Sequence, residues 1–534
     1  MPDPASTDRS EWRGARVVVM GLGRFGGGAG AVRWLVDQGA DVLVTDLADA
    51  DTLAEPIASI RDLVDAGRVS LSLGGHDAEA FHTADALVVS PAVPRPWENP
   101  FIRAAVEHGV RLTTEIRLLV ERLPRRDRVI GVTGTAGKST TAAMIAHILR
   151  AIARAPRAER ERGAAASADG SDARSKADSD GLVARLPALS RVWLGGNIGG
   201  SLLTRVHEMA PEDRVVLELS SAMLYWLSDW FIGRREEPGW SPHIAIVTNI
   251  TPNHLDWHGD FEQYKRCKHV LSAYQRPGDS LIDDSAPEPA AAGRLVGAHN
   301  RGNAARSLAV VRSALGSSAP GAAALDGALE SFTALPHRLQ RVAEVEHGGG
   351  VVRAYNDSKC TTPEAAALAV MACATCTDNG GAGVLAVDGA VPVHLIAGGS
   401  DKGVDLAPMV EVAARCRGVY TIGATGPTIT RLICDMGGRA EECGDLEAAV
   451  GRAAHAARPG EVILLSPGCA SWDQFKNYDE RGRVFTGLVR AALGLPRADD
   501  SLFAMPAAVE PAGVCPRSDP APEHEATENH PNIA

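Results

Sequence analysis

Aromatic side chains are scarce in this chain. Nine Trp, nine Phe and six Tyr make up 4% of 534 residues, against 55 glycines. That bias is of the kind a GC-rich genome gives rather than a mark of function. Long apolar runs are absent as well. No stretch reaches the ~18 consecutive apolar residues that a membrane-crossing helix requires. Positive charge is in deficit, with 54 Lys and Arg against 66 Asp and Glu for a net charge of −12, which excludes nucleic acid as the main partner. Cysteine is sparse, scattered and odd in number, at nine; such a pattern reads as reduced thiols rather than a disulfide framework. Cys373-Ala-Thr-Cys376 has redox or metal spacing, but it lies in an Ala-rich helical run with no second pair nearby and reads as structural. Met1-Pro-Asp-Pro-Ala-Ser6 is polar and carries no apolar segment, which argues against secretion and for a cytoplasmic protein.

The length is too great for one hydrophobic core, and three domains are expected. Alternating apolar β-branched runs and helical spacings divide the chain into α/β blocks, each predicting a parallel sheet with helices on both faces. The first, residues 1–112, contains strands at 15–20, 41–46 and 86–90, with a helix at 31–38. The second, 113–334, contains a strand from Arg128 and others at 214–219 and 243–249. The third, 335–495, has strands at 350–355, 393–397, 419–422 and 461–466. Two segments are too poor in apolar residues to offset their ordering entropy. They are an Ala/Arg/Ser/Asp/Gly insertion at about 154–181 and a Pro-rich acidic tail at 496–534. A smaller insertion is expected at 377–390.

Gly131-Val-Thr-Gly-Thr-Ala-Gly-Lys-Ser-Thr-Thr141 lies between an apolar strand and a helical pattern, Ala142–Leu149. A strand, a Gly-rich turn and a helix N-terminus make a phosphate cradle of inward N–H groups. Gly134 and Gly137 leave room for the ligand, Lys138 is placed to reach β/γ-phosphates, and the Ser139 hydroxyl to bind Mg²⁺. ATP is the predicted nucleotide. The loop is short, G-x-x-G-K-S rather than G-x-x-x-x-G-K-S. Gly21-Leu-Gly-Arg-Phe-Gly26, with Asp46 ending the next strand, has the dinucleotide fingerprint. It fits NAD or any other nucleotide diphosphate, and no hydride-transfer constellation follows it. Glu218 ends an apolar strand, where an α/β sheet binds ligands and where a second Mg²⁺ ligand belongs. His254 and His258 have the i, i+4 spacing of a zinc pair, but Asp256 is not the Glu of H-E-x-x-H. His254 is read near the phosphate-bound metal and His258 as a surface residue. In the third block, Asn356–Pro363 and Ser466–Phe475 follow strands and offer hydroxyls, N–H groups and a lysine to a small anion such as an amino-acid carboxylate.

In their order along the chain these motifs resemble the Mur ligases, ATP-dependent amide-forming enzymes of peptidoglycan precursor synthesis. Gly134–Thr140 is similar to the family's ATP loop. Gly196-Asn197-Ile-Gly199, Glu218-Leu-Ser-Ser221, Thr251–Asp256, Gly297–Asn303 and Leu335-Pro-His-Arg338 follow in the family's sequence. Asn356-Asp-Ser-Lys359 and Ser466–Asn477 are most similar to the D-glutamate-adding branch. The resemblance runs from about 15 to 495. It implies a Rossmann-like UDP-binding domain, a P-loop ATPase-type central domain and a Rossmann-like C-terminal domain.

It also implies roles. Thr135, Lys138, Ser139 and Thr140 would meet ATP–Mg²⁺, Asn300 and Asn303 the adenine, and Arg338 and Asp357 ATP from the third domain. Ser139, Glu218 and His254 would hold metal together with Lys268, the match to the family's carbamylated lysine (Lys265 is the second choice). Arg24, Phe25, Asp46 and Asn197 would face UDP-N-acetylmuramoyl-L-alanine. Lys359, Thr361, Lys402, Ser471 and Tyr478 would bind D-glutamate, and the protein would act as a monomer. Three departures fall on the UDP-sugar side: Ala222-Met223 for Phe-Gln, Ser90-Pro-Ala92 for Ser-Pro-Gly, and Arg24-Phe25 for small residues. A folate-type polyglutamate ligase, an NAD-dependent oxidoreductase and a non-catalytic nucleotide-binding regulator are the competing readings.

Overall fold

The computed structural model describes residues 11–23, 26–154, 191–233, 238–282, 293–347, 350–374 and 390–509. Arg24, Phe25, the insertion from 155, Cys376 and most of the 377–390 patch lie outside them. Among the described residues no helix is long and apolar enough to cross a membrane.

Three sheets carry the architecture. The first is built from β1 (Arg16–Met20), β2 (Asp41–Asp46), β3 (Val69–Leu73), β4 (Ala86–Val89) and β5 (Arg111–Thr113), all parallel, in the order β3-β2-β1-β4-β5. β5 ends one residue past the boundary expected at 112. The second contains β6 (Val129–Thr133), β7 (Val192–Gly196), β8 (Arg214–Glu218), β9 (Ile244–Val247) and β10 (Ser280–Ile282), parallel, in the order β10-β9-β6-β8-β7. The third runs β11 (Gln340–His347), β12 (Gly350–Asn356), β16 (Val462–Leu465), β13 (Val391–Gly398), β14 (Cys416–Ile422) and β15 (Ala440–Gly444). Here the expectation of a wholly parallel sheet fails, because β11 and β12 pair antiparallel as a hairpin. Only two residues separate these strands along the chain, far too few for the crossover that a parallel pair needs.

Burial explains which strands form. β1, β4, β6, β8 and β16 are apolar runs covered on both faces, as parallel interior strands must be. The six edge strands are short or mixed, such as Arg111-Leu-Thr113 and Ala440-Glu-Glu-Cys-Gly444. The first and second units are not independent bodies. Trp34, Ile116, Leu202, Trp193 and Leu217 belong to one buried cluster, and Phe81, Leu112, Tyr225 and Trp226 to another. Each cluster joins side chains of both units.

The tail expectation is corrected at its near end. Residues 496–509 are ordered, with a short helical turn at Asp500–Phe503, and Ala508 and Val509 pack against the first cluster. Contacts across the fold, not local apolar content, hold this segment. Seven cysteines lie in the described residues and none forms a disulfide.

Candidate active site

The phosphate loop leaves the C-terminal end of β6, the central strand of its sheet, and enters the helix Lys138–Arg154. Gly134 has φ +145° and Gly137 φ +83°. A Cβ on Gly134 would lie 1.9 Å from Thr248 Oγ1, and one on Gly137 would lie 2.8 Å from Asn303 Oδ1. The loop is therefore clamped between β9's end and the helix Ala298–Leu315. Thr135 and Ala136 donate their N–H groups to Asn249 Oδ1 at 3.1 and 2.9 Å, and Thr248 Oγ1 donates to the Ala136 carbonyl at 2.5 Å. Thr135 Oγ1 lies 2.8 Å from the Tyr264 hydroxyl. Lys138 Nζ donates to the Thr135 carbonyl at 2.8 Å, closing over the loop. Burial lowers its pKa; Glu218 opposes that shift, and Arg338 and Lys359 add to it.

Glu218 sits at the end of β8, 1% exposed. Its Oε1 accepts from Asn197 Nδ2 at 3.2 Å, and its Oε2 has no hydrogen-bond partner. Lys268, equally buried, reaches Thr133 Oγ1 at 3.3 Å, with its Nζ 4.9 Å over the Tyr264 ring. Burial, then repulsion by Lys138, pushes its pKa down to about 7. That leaves much of the amine neutral near physiological pH, as reaction with CO₂ requires. His254 is exposed, with φ +51°. Desolvation of its ring, then the charge of Lys138, holds its imidazole below the usual range. His258 is not the surface residue expected. It is 2% exposed, its Nε2 is 2.9 Å from Ser221 Oγ, and burial holds its pKa at about 4. The turn Leu255–His258 directs it inward under Trp257.

An orphaned, buried carboxylate oxygen beside a hydroxyl-bearing phosphate loop suits Mg²⁺. Among the described residues, no three His, Cys, Asp or Glu side chains gather into a metal cluster. A cation here would therefore share phosphate oxygens. Asn300 and Asn303, both buried, form a ladder behind the loop: Asn300 Nδ2 donates to the Val296 carbonyl at 2.7 Å, and Asn303 Nδ2 to Asn300 Oδ1 at 3.2 Å.

The third unit reaches into this site. Arg338 Nη2 donates to Ser139 Oγ at 3.0 Å. Its neighbours His337 and Leu339 have φ +59° and +46°, left-handed conformations that cost non-glycine residues about 1–2 kcal/mol each. Asp357 accepts from Leu339 N–H at 3.0 Å and from Ser466 Oγ at 2.9 Å, and burial raises its pKa to about 7. Lys359 and Lys402 lie over aromatic faces, 5.0 Å from the Tyr478 ring centre and 4.5 Å from that of Trp472. Among the described residues neither forms an ion pair with an acid, so both cations remain available to a carboxylate. Ser471 is buried and Thr361 half-buried.

Several organising residues escape sequence reading. Arg481 is fully buried and donates to the Ser358 carbonyl at 2.9 Å and the Cys469 carbonyl at 3.1 Å, tying the two amino-acid loops together. Asn249, Thr248 and Trp472 do comparable local work; Asn249 and Trp472 lie within motif segments that the sequence marks, but nothing local assigns them these contacts. In the first unit, Asp46 accepts from Leu22 N–H and Ala48 N–H, both at 3.0 Å, so it braces the glycine turn. Arg24 and Phe25 of that turn are outside the described residues.

The fold and site define a class, a three-unit α/β enzyme whose phosphate loop is met by an arginine from the last unit. The profile "Mur ligase MurD-like, N-terminal domain" matches residues 15–114, and "Mur ligase middle domain" matches 196–287. Proteins of Acidobacterium capsulatum, Symbiobacterium thermophilum and Nitratidesulfovibrio vulgaris are 32%, 31% and 33% identical to this chain. The matches cover 91%, 89% and 91% of it, and 98%, 98% and 99% of those proteins. The chain belongs to the Mur ligase family. All three relatives carry the name UDP-N-acetylmuramoylalanine–D-glutamate ligase.

Proposed function

We propose that this chain is an ATP-dependent acid–D-amino-acid ligase that adds D-glutamate to UDP-N-acetylmuramoyl-L-alanine in peptidoglycan precursor synthesis. The Arg338–Ser139 hydrogen bond carries the reading, because it joins the unit that bears Lys359 and Tyr478 to the phosphate loop. The names of the full-length relatives agree with it.

A carboxylate is a poor electrophile, because its leaving group would be oxide. The L-alanyl carboxylate attacks the γ-phosphorus of ATP, the bond to the bridging oxygen breaks, and ADP departs. Lys138 and Arg338 neutralise the charge that develops on the phosphoryl oxygens. The D-glutamate amine then attacks the acyl carbon, the C–O bond to phosphate breaks, and the nitrogen loses a proton. Thr135 and Thr140 complete the phosphate cradle, Asn300 and Asn303 hold the adenine, and Asp357 meets the nucleotide from the third unit. Lys359, Thr361, Lys402, Ser471 and Tyr478 orient D-glutamate. Arg24, Phe25, Asp46 and Asn197 face the UDP-sugar. Ser139, Glu218, His254 and, once carbamylated, Lys268 would hold Mg²⁺, which would supply charge neutralisation when bound. Much of the catalysis is positioning and exclusion of water from the acyl phosphate. The chain is assigned to the cytoplasm as a monomer.

The test is ADP release with UDP-N-acetylmuramoyl-L-alanine and, in turn, D-glutamate, L-glutamate and lysine. Turnover with D-glutamate alone is expected. Turnover that ignores the amino acid, or prefers lysine, overturns the assignment.

A further inference from the structure

The chain that follows the last helix (Tyr478–Ala492) returns to the molecule. Asp499 accepts from Ser501 N–H at 2.7 Å and starts the turn Asp500–Phe503. Phe503 stacks on His337 with centroids 5.6 Å apart and planes 15° from parallel, and the Arg483 guanidinium lies 4.5 Å over its ring. Gln340 links the two segments, accepting from His337 N–H at 3.2 Å and donating to the Leu502 carbonyl at 2.6 Å. A few residues later the chain reaches the middle unit. The Ala508 carbonyl accepts from Leu194 N–H at 2.7 Å, on the outer edge of β7. Arg150 donates to the Ala507 and Ala508 carbonyls at 2.9 and 3.1 Å. An open strand edge is covered, and Ala508 and Val509 join the core shared by the first two units.

His337 is the residue before Arg338, the one side chain described above that bridges the third unit to the phosphate loop. His337 and Leu339 flank it in left-handed conformations, which persist only where the surroundings over-determine them. Asp479 and Asn356 hold the two ring nitrogens of His337 at 2.9 and 3.1 Å from within the third unit, and Phe503, stacked on the ring, with Gln340 tied to Leu502, adds the constraint that reaches His337 from the segment beyond the last helix. We propose that residues 499–509 are a strap that fastens the third unit to the middle unit and holds Arg338 at the ATP loop, with Phe503 as a positioning residue. The proposal rests on the ATP assignment of that loop. It predicts an effect on nucleotide affinity that acts through Arg338.

The test compares the full chain with chains ending at Val509 and at Arg497, and with Phe503→Ala and Phe503→Tyr. Each is made with Arg338 present and as Arg338→Ala, and ADP affinity is read by calorimetry. Ending at Val509, or Phe503→Tyr, should leave affinity within about twofold. Ending at Arg497, or Phe503→Ala, should weaken it about tenfold, the size expected for a hydrogen bond from a charged donor. In the Arg338→Ala background the same changes should cost less than about twofold, since the coupled interaction is already gone. An undiminished loss in that background, or no loss in either, overturns the proposal. Should the Arg497 truncation fail to fold, Phe503→Ala with its Tyr rescue decides the matter. ADP affinity is read without turnover, so failure here is distinct from failure of D-glutamate addition.

Discussion

Gly134→Ala tests the phosphate loop at its tightest point. At φ +145° an alanine is strained by about 1–3 kcal/mol. Its methyl carbon would also stand 1.9 Å from Thr248 Oγ1, so Thr248 must move. That hydroxyl donates its single proton to the Ala136 carbonyl at 2.5 Å, with the Thr133 carbonyl farther off at 3.3 Å, and displacing it forfeits about 0.5–1.5 kcal/mol. The sum is roughly 1.5–4.5 kcal/mol, or a loss of about 10-fold to 10³-fold in ADP affinity if the loop rearranges to escape it. Calorimetric ADP titration measures the loss, and a thermal melt separates it from global unfolding. Thr248→Ala gives up the same bond by itself. The two changes therefore should not add, and the double variant should bind no worse than Gly134→Ala alone. Gly137→Ala should be milder, because the atom it meets, Asn303 Oδ1 at 2.8 Å, is the end of a side chain. Normal ADP binding by Gly134→Ala, or full additivity with Thr248→Ala, would refute the reasoning.

Two further outcomes are expected. Lys138→Ala should abolish substrate-dependent phosphate release, a loss of about 10²–10³ or more for a group that meets developing charge; substantial residual turnover would remove Lys138 from the mechanism. Burial, then Arg338, lowers the Lys359 pKa to about 8, so its ammonium is present below that pH and lost as pH rises through it. The KM for D-glutamate should therefore climb above pH 8, by up to tenfold per unit, while kcat does not fall with it. Lys359→Arg should flatten the climb, and a KM already flat to pH 9.5 in the unaltered protein would exclude Lys359 from carboxylate binding.

The strands that could be read in advance share one property. All ten are interior: β1, β2 and β4; β6, β8 and β9; β12, β13, β14 and β16. A strand covered on both faces must be apolar along its length, so Val-Val-Leu-Glu in β8 or Val-Ile-Leu-Leu in β16 announces itself. The unread strands β3, β5, β7, β10, β11 and β15 all lie at sheet edges. An edge that stays half-covered tolerates Ser, Glu and Arg, so Val69-Ser-Leu-Ser-Leu73 or Ala440-Glu-Glu-Cys-Gly444 carries no comparable pattern; β7, Val192-Trp-Leu-Gly-Gly196, is the exception, an apolar and buried edge that Ala508 covers. His258 failed for the opposite reason. Its local sequence is polar, and only the packing of Trp257 and Ser221 around it decides that it is buried.

The sequence by itself determined the phosphate loop, the order of the three α/β units and the family, because each is written in residues adjacent along the chain. A glycine turn needs its glycines, and a buried strand its apolar run, whatever surrounds them. Only the tertiary structure decided what meets that loop. Arg338 lies 199 residues from Ser139, Arg481 lies 123 from Ser358, and Ala508 lies 358 from Arg150. No local pattern encodes a contact across such separations. It exists because three separately wound sheets present their loops to one another, and because an acidic, proline-rich end finds an open strand edge to pair with.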